Sequence, residues 1–122
     1  MKLLNLILVF SFISFANISL SAQAATQVQN AKVAEFRKQM AEKDVVLIDV
    51  RTPREVAQGT IEGAINIPLN TLSGEVAKLD KTKKYLVFCR SGARSRRASM
   101  ILARKGFEVY NLKGGILAWN RR

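Results

Sequence analysis

Histidine is absent from this chain of 122 residues, and cysteine occurs once, at Cys89. Those two gaps remove whole classes of chemistry. The ligand sets that zinc and the transition metals ordinarily take cannot be assembled, so no metal and no cofactor is expected. Triads and dyads built on imidazole are excluded as well. A single cysteine forms no internal disulfide, and without a resolving partner it makes a poor thiol–disulfide oxidoreductase. Acidic residues are scarce too: nine Asp and Glu stand against twenty Lys and Arg, for a net charge of +11. Such a surplus raises the local concentration of anions. Aromatic residues are only 7% of the chain and are not interleaved with the basic ones. The stacking platform that nucleic acid would need is therefore missing. Small anions or an anionic surface suit the charge better, and much of it serves solubility.

What is present begins with a leader. "MKLLNLILVFSFISFANISLSAQAA" opens with Lys2, continues as an apolar run and ends in small residues. That is the layout of a secretory signal peptide, and Ala22-Gln23-Ala24 meets the small-x-small rule, which puts cleavage after Ala24. An uncleaved membrane anchor is the alternative. Asn5, Ser11, Ser14, Asn17 and Ser19 dilute the apolar run, whereas a spanning helix prefers about 20 mainly apolar residues. The reading is thus residues 1–24 as a removed signal, residues 25–122 as one domain, a bacterial periplasm as destination and no stable membrane anchoring.

Residues 25–30 are polar and read as loose. From Asn30 to Lys43, Val33, Phe36 and Met40 recur at helical spacing. "DVVLIDV" (Asp44 to Val50) is short, apolar and β-branched, as buried strands of parallel sheets are. In "TPREVAQG", Thr52 can cap a helix, Pro53 suits its first position and Glu55 completes a capping box, with Gly59 ending the piece. "GAINIP" (Gly63 to Pro68) reads as a second short strand. Leu72, Val76 and Leu79 mark a helix within Leu69 to Asp80. "KYLVFC" (Lys84 to Cys89) is a strand, "SRRASMILARKG" (Ser95 to Gly106) a helix, "FEVYNL" (Phe107 to Leu112) a strand and Ile116 to Asn120 a last helical piece. Strands alternating with helices argue for an α/β fold, a parallel sheet with helices on both faces.

Cys89 therefore ends a strand, and residues 90–94 lead into a helix. Ligands of open α/β sheets bind outside the carboxyl ends of strands. The helix start offers unpaired N–H groups, and Gly92 lets the backbone bend into an anion-binding nest. A thiol beside a helix N-terminus and arginines ionises readily, and the thiolate is the nucleophile. In another setting a lone cysteine would be a buried, inert small hydrophobe. Here the loop both activates Cys89 and holds an anion against it.

Three blocks in order carry a family resemblance: "LIDVRTPREVAQGTIEGAINIPL", "VFCRSGARS" and "GFEVYNLKGGILAW". Together, from about Val45 to Trp119, they resemble the single-domain rhodanese sulfurtransferases, in particular the small exported bacterial members. The resemblance implies a five-stranded parallel sheet flanked by helices. It also implies that Cys89 attacks the outer sulfur of thiosulfate or a similar anionic donor, releases sulfite, becomes a persulfide and passes the sulfur to cyanide or a thiol acceptor. Carried over by position, Arg90, Ser91, Gly92, Ala93 and Arg94 form the cradle for donor and persulfide. One departure is Gly59-Thr60-Ile61, where many members have Gly-His-Ile; it touches local packing and partner choice rather than reaction class.

Arg90 is expected to meet the anionic donor. Arg94 could face either the anion or a carboxylate such as Glu55. Asp49 and Arg51 read as a structural pair tying the first strand to nearby loops, Arg96 and Arg97 as a solvated helix face, and Trp119 as core. A cysteine phosphatase is the closest rival, but it needs five residues between cysteine and arginine. Here that position is Ser95, and Arg94 comes one residue early. A non-catalytic binding module is the second rival; such modules commonly lose the cysteine or the loop glycine, and both are present.

Overall fold

The computed structural model describes Ser19, Leu20, Ala22 and residues 28–121. The expected leader and its cleavage site lie outside the described residues, apart from those three positions. Among the described residues no helix is long and apolar enough to cross a membrane.

Five parallel strands form one sheet: β1 (Val28–Ala31), β2 (Val45–Asp49), β3 (Ile65–Asn66), β4 (Lys84–Phe88) and β5 (Glu108–Leu112), in the order β1-β5-β4-β2-β3. Among the described residues these helices connect and cover them: α1 (Val33–Met40), α2 (Pro53–Ala57), α3 (Leu69–Glu75, continued as a 3-10 turn over Val76–Lys78), α4 (Ala93–Arg104) and α5 (Gly115–Trp119). The apolar runs are continuous because side chains alternate between two covered faces. Ile48, Val50, Tyr85, Val87, Cys89 and Val109 turn to one side, against Leu72 and Val76 of the α3 region and Ala98 and Leu102 of α4. Leu47, Leu86, Phe88 and Leu112 turn to the other, against Phe36 of α1 and Ile116 of α5. Trp119 packs edge-on against Phe36, with Arg37 over its ring.

Residues 25–30 were expected to be loose, and the structure corrects this from Val28 onward. Val28–Ala31 pairs with Val109–Leu112 along the whole of β1. Only Val28 and Ala31 are not exposed, so the segment shows no periodicity of its own. Its hydrogen bonds go to a partner some eighty positions away, and α1 accordingly starts at Val33 rather than Asn30. Helix α4 starts at Ala93, two residues before the expected Ser95, with Gly92 as its N-cap at φ +108°.

Candidate active site

All five strands point their carboxyl ends one way, and β4 there delivers Cys89 into the turn before α4. The Sγ atom is buried and receives the Gly92 N–H at 3.1 Å and the Ser95 hydroxyl at 3.3 Å. Burial pushes the thiol's pKa up. The Ser95 hydroxyl and the N–H groups of Ser95, Gly92 and Ser91 outweigh it and hold the thiol below its ordinary range. The thiolate is thus favoured by short-range donors, as expected where a loop feeds a helix N-terminus.

The loop is held in shape from its carbonyl side. Ile116 N–H donates to the Cys89 carbonyl at 2.9 Å and Leu117 N–H to the Arg90 carbonyl at 3.2 Å. These are donors of the first turn of α5, which have no partner within their own helix. Gly114 (φ +81°) and Gly115 (φ +62°) bring α5 in under the loop. A Cβ on Gly115 would collide with the Arg90 carbonyl and stand 2.6 Å from Ser91 N, so only glycine allows this approach.

The remaining candidates fall into place around that core. Of the anion and the carboxylate, Arg94 takes the carboxylate: its two terminal nitrogens each lie 2.7 Å from a Glu55 oxygen. Glu55 also closes the capping box with Thr52 at the start of α2. The Arg94 contact lowers the Glu55 carboxyl to about 2. Arg90 and Ser91 are exposed and Ala93 lies on the open rim. Arg90 has no side-chain partner among the described residues and lines a 310 Å³ cleft with Arg51, Glu55, Thr60 and Leu117. Asp49 and Arg51 are a buried pair: the Arg51 Nε and Nη2 grip both carboxylate oxygens, the closest contact being 2.7 Å. Arg51 reaches on to the Gly59 carbonyl, and Thr60 Oγ1 donates to Asp49 at 2.8 Å. Thr60, the departure from the family pattern, is therefore a second donor to this carboxylate. Arg96 and Arg97 are exposed.

Ser95 was missed as a site residue. Sequence spacing used it only to measure loop length, yet it is fully buried and bonds both Sγ and, at 3.2 Å, the Gly92 carbonyl.

A strand-end cysteine under a ring of N–H groups, on a five-stranded parallel α/β sheet, defines a cysteine-loop protein built to stabilise negative charge at sulfur. Residues 32–122 match the model of the rhodanese-like domain. The chain belongs to the rhodanese family. It is 42% identical over 80 residues to a sulfurtransferase of Allochromatium vinosum, covering 65% of this chain and 75% of that one. It is 35% identical over 94 residues to YtwF of Bacillus subtilis, named as a candidate sulfurtransferase, covering 76% and 91%. A tRNA uridine(34) hydroxylase of Acaryochloris marina shares 40% identity over 95 residues, covering 72% of this chain but 31% of that protein. Among solved structures, a rhodanese-related protein of Thermoplasma volcanium superposes with a TM-score of 0.69 at 33% identity, covering 75% of this chain and 89% of the other.

Proposed function

We propose that the protein is a sulfurtransferase that carries a sulfane sulfur on Cys89, from thiosulfate or a similar anionic donor to cyanide or a thiol. The observation that supports this best is the pair of donors on Sγ, Gly92 N–H and Ser95 Oγ–H, which favour the thiolate without any base. The thiolate attacks the outer sulfur of thiosulfate. The S–S bond of the donor breaks, and sulfite leaves with its electron pair. Cys89 is left as a persulfide over the loop. Ser91, Gly92 and Ala93 supply the cradle, and Arg90 is the cation placed to meet the donor's charge. Arg94 acts through Glu55, fastening α4 to α2 across the mouth of the site.

The test is intact mass after mixing the protein with thiosulfate. A gain of one sulfur that disappears in Cys89→Ser is expected. Hydrolysis of aryl phosphates dependent on Cys89, with no sulfur gained, would replace this reading with the phosphatase one. The leader composition supports export to the periplasm with cleavage after Ala24. N-terminal sequencing of a periplasmic fraction checks this, and a chain still starting at Met1 in the membrane pellet would overturn it.

A further inference from the structure

On the β1–β5 side of the cysteine loop lies a cleft of about 410 Å³, separate from the cleft that Arg90 lines. That is within the range of small-molecule sites. Its wall on one side is the loop itself, Ser91 to Ala93. On the other are Asn30 of β1, Asn111 of β5 and Lys113 beyond it, and Arg96 of α4 lines it too. Two cations from different elements meet there, and no carboxylate lines it.

Asn111 gives a second, independent sign. It is 3% exposed, and its Nδ2 donates to Asn30 Oδ1 at 3.0 Å and makes a long 3.5 Å contact with the Gly92 carbonyl. Its Oδ1 is left with no donor; among the described residues it is the one buried side-chain polar atom in that state. Buried acceptors are nearly always satisfied, so an orphan needs an explanation. Asn30 is exposed on an edge strand, so its side chain can yield to an entering molecule.

From these observations we propose, resting on the sulfurtransferase reading, that this cleft binds the sulfur acceptor, a small thiol carrying both a carboxylate and an N–H donor. The carboxylate lies between Arg96 and Lys113, and the N–H approaches Asn111 Oδ1. The thiol then projects over Gly92, whose own N–H is 3.1 Å from Sγ. In the transfer the acceptor thiolate attacks the outer sulfur of the Cys89 persulfide. A new S–S bond forms on the acceptor, the bond to Sγ breaks, and Cys89 leaves as thiolate. The acceptor's own thiol proton passes to the outer sulfur, which leaves as the acceptor's persulfide, and no external oxidant or reductant takes part. Thiosulfate's charge is assigned instead to Arg90, which lines the other cleft and is absent from this one.

Three matched thiols test the assignment: N-acetylcysteine, its carboxamide, which lacks the charge, and 3-mercaptopropionate, which lacks the N–H. Lys113→Ala and Arg96→Ala should each lower kcat/KM for N-acetylcysteine by about tenfold, the usual scale of one lost charge-assisted contact. The loss should recur with 3-mercaptopropionate and be absent with the carboxamide. Persulfide formation from thiosulfate, read by stopped-flow mass analysis, should keep its rate in both variants. In the unmutated protein, S-methyl-N-acetylcysteine, which cannot react, should shift the Asn111 side-chain amide resonances. Equal losses on the charged and uncharged thiols would overturn the proposal, as would an equal loss in the thiosulfate step. So would resonance shifts confined to the Arg90 cleft. Because the unreactive probe reports binding without turnover, a protein that never takes sulfur from thiosulfate would sink the functional reading and leave the cleft separately tested.

Discussion

Replacing Gly115 by alanine tests whether the α5 turn sets the geometry of the cysteine loop. Two effects separate cleanly. The first is conformational: at φ +62° a side chain is strained, at about 1–2 kcal/mol for a left-handed residue. The second is steric. The new methyl would stand 2.6 Å from Ser91 N, where ordinary contact begins at 3.4 Å, and closer still to the Arg90 carbonyl. The loop must therefore retreat by about 1 Å, and a displacement of that size at a reacting centre costs on the order of a hundredfold in rate. The bonds from Ile116 and Leu117 to the Cys89 and Arg90 carbonyls would stretch with it. Gly63→Ala is the control: its φ is +87°, but nothing lies within 4 Å of the added methyl. It carries the conformational strain alone and should lower Tm by roughly 4–8 °C per kcal/mol in a domain of this size. Rapid-quench mass analysis of persulfide formation decides the matter. Gly115→Ala should be slowed about a hundredfold at a temperature where it is fully folded, with Gly63→Ala at the unmutated rate. A normal rate in Gly115→Ala, or equal slowing in Gly63→Ala, would refute the claim that this glycine shapes the site.

Three further outcomes follow from the site. Ser95→Ala removes the side-chain donor to Sγ, so the pH profile of Cys89 alkylation should move to higher pH; an unmoved profile would leave the backbone N–H groups as the whole cause. Arg90→Ala should lose roughly ten- to a hundredfold in kcat/KM with thiosulfate and less with an uncharged sulfane donor, since a hydrogen bond to a charged group contributes about 1.5–3 kcal/mol. Equal losses on both would mean that Arg90 shapes the loop. Glu55 titrates at about 2 in the folded protein against an ordinary 4.5, so its ion pair stabilises fully above pH 4.5 and is lost as pH falls through 2. The stability difference between the protein and Glu55→Gln should shrink over that acid window in pH-dependent denaturation, and a constant difference would contradict the pairing.

The elements legible in the sequence are those whose burial is local in pattern. β2 and β4 are runs of apolar residues covered on both faces, and α4 shows its stripe at Ala98 and Leu102. β1 was illegible because Gln29 and Asn30 are exposed, and its reason for being a strand lies in β5. The resemblance supplied the fifth strand that the residues alone did not. At the site, Cys89 at a strand end was readable from its neighbours. The choice of Arg94 between anion and carboxylate was not, since Glu55 is 39 positions away and is brought there by the capping of α2. Ser95 escaped notice because its inward turn depends on α4 beginning at Ala93. Asn111 looked like any strand residue until its pairing left one oxygen over.

Ser95 has one hydroxyl proton and two acceptors within reach, Sγ and the Gly92 carbonyl. While Cys89 is a thiolate, the charged sulfur claims that proton. In the proposed reaction, loading would move the negative charge to the outer atom and leave Sγ a weak acceptor, so the proton would turn to the carbonyl. That carbonyl also accepts the Arg96 N–H at the start of α4 and faces the Asn111 amide. On the proposed reaction, loading at one end of the loop would be registered in the hydrogen bonds of the helix behind it. The empty and the loaded carrier would then differ inside the protein before any second molecule arrives.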